Sequence, residues 1–258
     1  MVAYFAAICH TGCMNSFENA LDDRAESFLQ VGTVAKKVAE SHCGVTVDET
    51  THQRWQQLMG LLREVDTLAD DTSTTDDEVL GRLEDFSEFE DRYPALTMDA
   101  LGSETRDDLM VRTERLLKLG AQVTQAVSME RFIALRIVEG RGTAGFLDDA
   151  ATGTVREQPA FGAVFMPVMV SMAVTANLLD SFTDAKMDYR DGKIAHEPNA
   201  EFYKAIMSQI PAQAGLGSRA LLHIPVMREF ALMSWNRLVN RATHGESSTT
   251  SLRIFKAK

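Results

Sequence analysis

A chain of 258 residues with 45% hydrophobic and 24% charged side chains can build a sizeable core, as one large domain or two small ones. Its net charge of −11 and pI near 5.0 leave no basic stripe to follow a phosphate backbone, which argues against nucleic acid as a partner. Clustered carboxylates, as in "ADDTSTTDDE" and "LEDFSEFEDR", form either a solvated acidic surface or a place for divalent cations.

From the start of the chain, "MVAYFAAICHTG" carries no basic n-region and does not read as a signal peptide. Cys9, His10 and Cys13 offer three metal-capable side chains without a fourth; together with Cys43 the cysteines read as reduced thiols rather than a disulfide framework or zinc site. Apolar spacing is helical almost throughout, and no alternating Val, Ile and Thr run reads as a strand. The spacing predicts helices over 16–42, 50–70, 76–91, 105–139, 161–190, 198–209 and 220–241. Breaks are predicted at "HCGVTVDET", "DTSTTD", "RYPALTMDALGS", "GRGTAG", "TGTVREQP", "RDGKIAHEPN" and "PAQAGLGS", which hold much of the glycine and proline. Loops are short and no internal repeat is visible. A single all-α domain over 1–258 is expected, with 1–15 and 242–258 mobile. Phe161–Leu179 has the length of a membrane span, but Pro167 and the acidic stretch that follows make a buried helix the better expectation. No integral membrane span and a cytoplasmic location follow from that.

The stretch "ANLLDSFTDAKMDYRDGKI" stacks Asp180, Asp184 and Asp188 at i, i+4 and i+8, one face of a helix. Each like-charged pair at that spacing costs a helix about 0.3 kcal/mol. Met169, Met172, Ala173 and Ala176 lie upstream on the same stripe. The stretch "WQQLMGLLREVDTLADDT" repeats the pattern: Leu58, Met59 and Leu62 precede Asp66 and Asp70, with Asp71 beside them. Two apolar stripes that turn acidic at their C-terminal ends would, if they face each other, line an oily cavity with carboxylates at its mouth. Mg²⁺ accepts carboxylate oxygens and is completed by substrate phosphates, so the pattern points to a ligand with an apolar body and a phosphorylated head. A solvated acidic face is the plainer alternative.

"GRGTAG", Gly140 to Gly145, is formally G-x-G-x-x-G, but a dinucleotide loop needs a preceding strand and an acid about 20 positions on. Here a helical pattern precedes it, and Asp148 and Asp149 come too soon. The chain contains no G-x-S-x-G, no H-E-x-x-H and no P-loop lysine, and its histidines are scattered.

The two acidic stretches resemble the aspartate-rich motifs of the class I isoprenoid (terpene) synthases. "LLREVDTLADD" resembles the first motif of the squalene and phytoene synthase branch, and the separation of the two motifs is similar to that branch. "DSFTDAKMDYRDGKI" resembles its second motif: Asp180 stands at the Asn position, and Asp184, Asp188, Gly192, Lys193 and Ile194 fall in step. "ERFIALRIVEGRGTAGFL" resembles the diphosphate-sensing segment of bacterial terpene cyclases, with Arg136, Glu139 and Gly140 as sensor, linker and effector. An arginine there would give planar bidentate donors to a diphosphate, Glu139 could orient it, and Gly140 permits a helix break that turns a carbonyl toward the cavity. The Ser-Phe-rich N-terminal motif of the squalene branch and the C-terminal Arg-Tyr pair of the cyclases are absent; Arg241 and Arg253 are loose substitutes for the latter.

The resemblance implies an isoprenoid-synthase-like helical bundle around a central apolar cavity. It implies Mg²⁺, three ions completed by the diphosphate, held by Asp66, Asp70 and Asp71 from one side and by Asp180, Asp184 and Asp188 from the other. Arg136, Lys193 and Arg190 would complete the anion site, with Asp66, Asp70, Arg136 and Gly140 closest to the chemistry. Phe132, Phe161, Phe165, Phe182 and Trp235 are candidates to face the cation, or else to pack the core. The expected activity is ionisation of a prenyl diphosphate followed by cyclisation or quenching. Head-to-head condensation of two prenyl diphosphates is the alternative, and a non-catalytic helical binding protein is a further one. A small-molecule substrate is the expected partner, and a homodimer is compatible with it.

Overall fold

A computed structural model describes residues 31–70 and 74–215, apart from the side chains of Asp66, Ala69, Asp70, Thr183, Asp184 and Met187. Among the described residues every regular element is helical and none is a strand. Cys9, His10, Cys13, Asp71, Trp235, Arg241 and Arg253 lie outside them. So do residues 16–30 of the first expected helix, the expected helix 220–241 and both ends expected to be mobile.

Helix α1 covers residues 31–38 and runs into a π-helical turn, Ala39–Cys43, closed by Gly44 at a φ of 69°. Helix α2, Glu49–Asp70, starts where the Asp48 carboxylate accepts the Thr51 N–H at 2.7 Å. Helix α3, Asp76–Asp85, starts on a reciprocal cap between Thr75 and Glu78. The expected helix 76–91 in fact divides at Phe86, which adopts a left-handed φ of 52° before a short turn, Ser87–Glu90. Burial explains it: Phe86 and Phe89 are both in the core, and the Phe86 ring lies 4.5 Å beneath the Arg106 guanidinium.

The expected helix 105–139 is two helices, α4 (Ser103–Thr124) and α5 (Met129–Asp149). Ser128 begins the second by accepting the Arg131 N–H at 3.2 Å. "GRGTAG" is not a break, because α5 runs straight through it. Its glycines serve packing instead. A Cβ on Gly140 would fall 2.7 Å from the Val174 Cα, one on Gly142 2.7 Å from the Leu116 side chain, and one on Gly145 would run into the Arg112 guanidinium. Arg112 passes over Gly145 to pair with the buried carboxylate of Asp149. Absent side chains let α5 sit close to two neighbours at once.

A π-helical turn, Phe161–Phe165, leads into α6, Met166–Arg190, and α7 follows at Ala200–Ala214. Phe161–Phe182 is long and apolar enough to cross a bilayer, and 67% of its most apolar window is buried against the rest of the protein. Helix α6 packs along α5 and α7 and joins two apolar clusters, with Val170 touching both. The first cluster contains Leu58, Met59, Leu62 and Val65 of α2 with Met169, Met172 and Ala173 of α6, so the two sequence stripes share one core. Trp55 anchors it, stacked on Phe165 at 5.3 Å and donating its indole N–H to the Leu147 carbonyl at 2.8 Å. The second cluster gathers Phe132 and Ile133 of α5, Leu178 and Phe182 of α6, and Phe202 and Ile206 of α7.

Candidate functional site

The last three turns of α6 carry the three aspartates at the negative pole of the helix, where carboxylates are disfavoured and cations favoured. Helix α2 ends the same way, with Asp66 and Asp70 on its final turns and no basic residue in the last one. What closes α6 is the "DGKI" segment. Gly192 takes a left-handed φ of 73°, its N–H returns to the Tyr189 carbonyl at 3.2 Å, and the Lys193 N–H returns to the Asp188 carbonyl at 2.7 Å. This double return bond is a glycine stop, and buried Ile194 anchors it in the second cluster. The cap fixes Asp188 and places Lys193 beside it.

One turn upstream, α6 meets α5 through a buried polar knot. The Arg136 guanidinium donates from Nη1 to Glu139 Oε2 at 2.8 Å, from Nη2 to Asp180 Oδ2 at 3.3 Å and from Nε to Ser181 Oγ at 2.6 Å. Asn177 Nδ2 donates to the Arg136 carbonyl at 2.6 Å and to Glu139 Oε2 at 3.1 Å, while the Ser181 hydroxyl donates to the Asn177 carbonyl at 3.0 Å. The side chains of Arg136, Glu139 and Asp180 are only 10–12% exposed, so this is no surface ion pair. The close approach allowed by Gly140 at Val174 is what brings these side chains together.

Charge in the knot is unbalanced. Burial alone would lower the Arg136 pKa, but Glu139 and Asp180 outweigh it and hold it above the ordinary arginine value. Asp188, half-buried, is pushed above the usual carboxylate range by burial and then by the negative charge of Asp180, with Arg136 and Lys193 offsetting only part. Inside the knot, Asn177 Oδ1 is fully buried and has no hydrogen-bond partner among the described residues. Carboxylate and amide oxygens are the kind of donor that Mg²⁺ takes. Among the described residues no group of three His, Cys, Asp or Glu is close enough to hold a metal ion, and Asp71 and the side chains of Asp66, Asp70 and Asp184 are not in that set.

The sequence-predicted residues therefore divide. Arg136, Glu139, Asp180 and Asp188 gather with Lys193 at the α5–α6 contact. Gly140 is next to them but as a packing residue, since α5 has no break at which a carbonyl could turn; that expectation is corrected. Arg190 points away, 74% exposed and paired with Asp191 at 2.9 Å. Phe132 and Phe182 pack in the second cluster, against Phe202 at 5.5 Å and Tyr203 at 5.0 Å. Phe161 and Phe165 pack in the first, 5.4 Å apart. Asn177 and Ser181 were not singled out from the sequence, although two polar residues at i and i+4 inside an apolar helical run were the available signal.

A cavity of about 10 Å³ lies along the α2 stripe, lined by Leu58, Leu62, Val65, Arg106, Thr113 and Phe146 among others. That volume suits about one water and not a prenyl chain. The chain matches no protein-family model, no curated protein and no solved structure, so the likeness to class I isoprenoid synthases rests on the motifs alone.

Proposed function

We propose that the protein is a Mg²⁺-dependent class I terpene synthase, which ionises a prenyl diphosphate and cyclises or quenches the resulting cation. The observation that carries this reading is the convergence of two separate motif segments, Arg136–Glu139 on α5 and Asp180–Asp188 on α6, in a buried cluster where carboxylates outnumber cations. A bound cation would stabilise such a cluster, and a guanidinium is a planar bidentate donor for an anion. Asp180, Asp184 and Asp188 would hold metal from α6, with Asp66, Asp70 and Asp71 holding it from the end of α2. Bound Mg²⁺ supplies charge stabilisation for the diphosphate as the C–O bond breaks.

The protein's own groups do the rest. Arg136, whose guanidinium is bonded to Glu139, Asp180 and Ser181, would donate to the diphosphate oxygens once substrate binds, and Lys193, next to Asp188, would add a second donor. The apolar stripes of α2 and α6, packed together in the first cluster, would have to part to admit a prenyl chain and would then keep water from the allylic cation. Glu139, held by Asn177, orients Arg136.

A second reading, condensation of two prenyl diphosphates, is favoured by the Gly192-Lys193-Ile194 cap directly after Asp188, which follows the squalene-branch motif. Incubation with geranyl, farnesyl and geranylgeranyl diphosphates, with and without Mg²⁺, followed by extraction, tests both. A product with the carbon number of one substrate, formed only with Mg²⁺, is the expected result; doubled carbon number supports condensation. No diphosphate release from any of them contradicts both enzymatic readings and leaves a helical binding protein.

A further inference from the structure

Arg106, Arg112 and Arg136 all reach into the core, and the first lacks what the other two have. Arg112 pairs with the buried carboxylate of Asp149, and Arg136 with those of Glu139 and Asp180. Arg106, on α4, is 6% exposed; it donates from Nη2 to the Leu83 carbonyl near the end of α3, and its guanidinium lies 4.5 Å from the Phe86 ring. Among the described residues that is its one hydrogen bond, although a guanidinium carries five N–H donors. Exposed Asp107, next in the chain, is the one described carboxylate that acts on it. It offsets only part of the burial that pulls the Arg106 pKa below the ordinary arginine value. A charge taken out of water without a counter-charge is costly.

The cavity along the α2 stripe lies against this guanidinium. Arg106 and Thr113 are its polar walls, and Leu58, Leu109 and Phe146 are among its apolar ones. The described lining residues are buried except Met110, which is half-buried. At about 10 Å³ the cavity takes one particle of roughly water size. The Thr113 hydroxyl donates to the Leu109 carbonyl at 2.8 Å, one turn back on α4, and its hydrogen can turn into the cavity instead.

We propose that Arg106 and this cavity form a site for one small monovalent anion of the halide class, with chloride as the counter-ion that the fold itself does not provide. Charge selects an anion over water, because water adds a hydrogen bond to the guanidinium and leaves its charge uncompensated. Size selects a halide over a carboxylate or phosphate, which are polyatomic and exceed the cavity. Chloride is somewhat larger than water, and Met110, unbranched and half-buried, is the wall that gives way to admit the ion and to fit around it. Arg106 ties α4 to the end of α3, and the cavity also touches α2 and α5, so the bound ion strengthens a junction of four helices. The site is separate from the α5–α6 knot: Arg136, Glu139, Asp180 and Asp188 do not line it.

The test is thermal unfolding of the full chain in sodium chloride and in sodium gluconate at equal ionic strength, gluconate being too large to enter. Chloride is expected to raise the melting temperature saturably, by about 2 °C. Arg106→Met removes the charge, keeps an apolar side chain in its place, and is expected to abolish the difference. A crystal of the wild-type chain soaked in sodium bromide decides the matter even if the variant fails to fold, with an anomalous peak expected within hydrogen-bond distance of the Arg106 guanidinium. Equal melting temperatures in the two salts overturn the proposal. So does a chloride effect that survives in the folded variant, or density in the cavity without anomalous signal, which means water.

Discussion

Gly140 of α5 lies so close to Val174 of α6 that a Cβ on the glycine would fall 2.7 Å from the Val174 Cα and 3.1 Å from the Ala173 carbonyl oxygen. Backbone atoms cannot step aside as a side chain tip can, so the two helices must separate to admit a methyl group. Gly140→Ala is expected to cost about 2 kcal/mol of stability, as overpacking does, and to loosen the Arg136–Asp180 contact beside it. Gly81, in α3, has nothing within 4 Å of its Cβ position, and Gly81→Ala is expected to gain about 0.8 kcal/mol from helix propensity. Urea unfolding of the two variants should move the midpoint in opposite directions.

Arg136 is bonded to both Glu139 and Asp180. Arg136→Met removes a cation shared by two nearly buried carboxylates and is expected to cost about 3 kcal/mol. Adding Asp180→Asn to it removes one of those charges and should restore part of the loss. A double-mutant cycle from chemical denaturation measures the coupling; strict additivity would mean that the pair contributes nothing.

Asp188 gives a prediction of unusual sign. Its folded pKa lies above the ordinary 3.8 because of burial and of Asp180, so its ionised form opposes folding. The contribution to stability is present below the unfolded pKa and is lost as pH rises through the folded value. Asp188→Asn is therefore expected to raise the melting temperature at neutral pH without metal, and to diminish any stabilisation by Mg²⁺ with diphosphate. A fall in the melting temperature at neutral pH would contradict this.

Asp48 behaves in the opposite way. Burial pushes its pKa up, but the hydroxyls of Thr152, Thr51 and Thr154 and the Thr51 N–H more than offset this and bring it down to about 2. Its stabilising contribution is present above the unfolded value of 3.8 and is lost as pH falls through about 2. Asp48→Asn should cost about 1 kcal/mol at neutral pH, a figure kept small by the exposure of the site, and should cost almost nothing below pH ~2. Denaturant midpoints of both proteins at the two pH values check it.

Helical periodicity in the sequence located α2, α6 and the capped end of α6 well, because their apolar stripes are long and their stops contain glycine. The failures have physical causes. "GRGTAG" looks like a loop because glycine usually breaks helices, whereas here Gly140, Gly142 and Gly145 are spaces for neighbours that a one-dimensional pattern does not reveal. The junction between α4 and α5 was missed because Gln125 to Ser128 contains neither glycine nor proline. Of the candidate site, Arg136, Glu139, Asp180 and Asp188 were legible through spacing and motif. Asn177 was not, since its place in the site depends on the crossing of α5 and α6, and its partners lie 38 and 41 residues away in the chain.

The most direct measurement is a crystal structure of the protein grown with Mn²⁺, as an anomalously scattering substitute for Mg²⁺, and inorganic diphosphate. The account predicts anomalous peaks coordinated by the α6 carboxylates, with the Arg136 guanidinium turned from Asp180 onto a diphosphate oxygen. Arg136 still bonded to Asp180, with no metal on Asp180, Asp184 or Asp188, would contradict it.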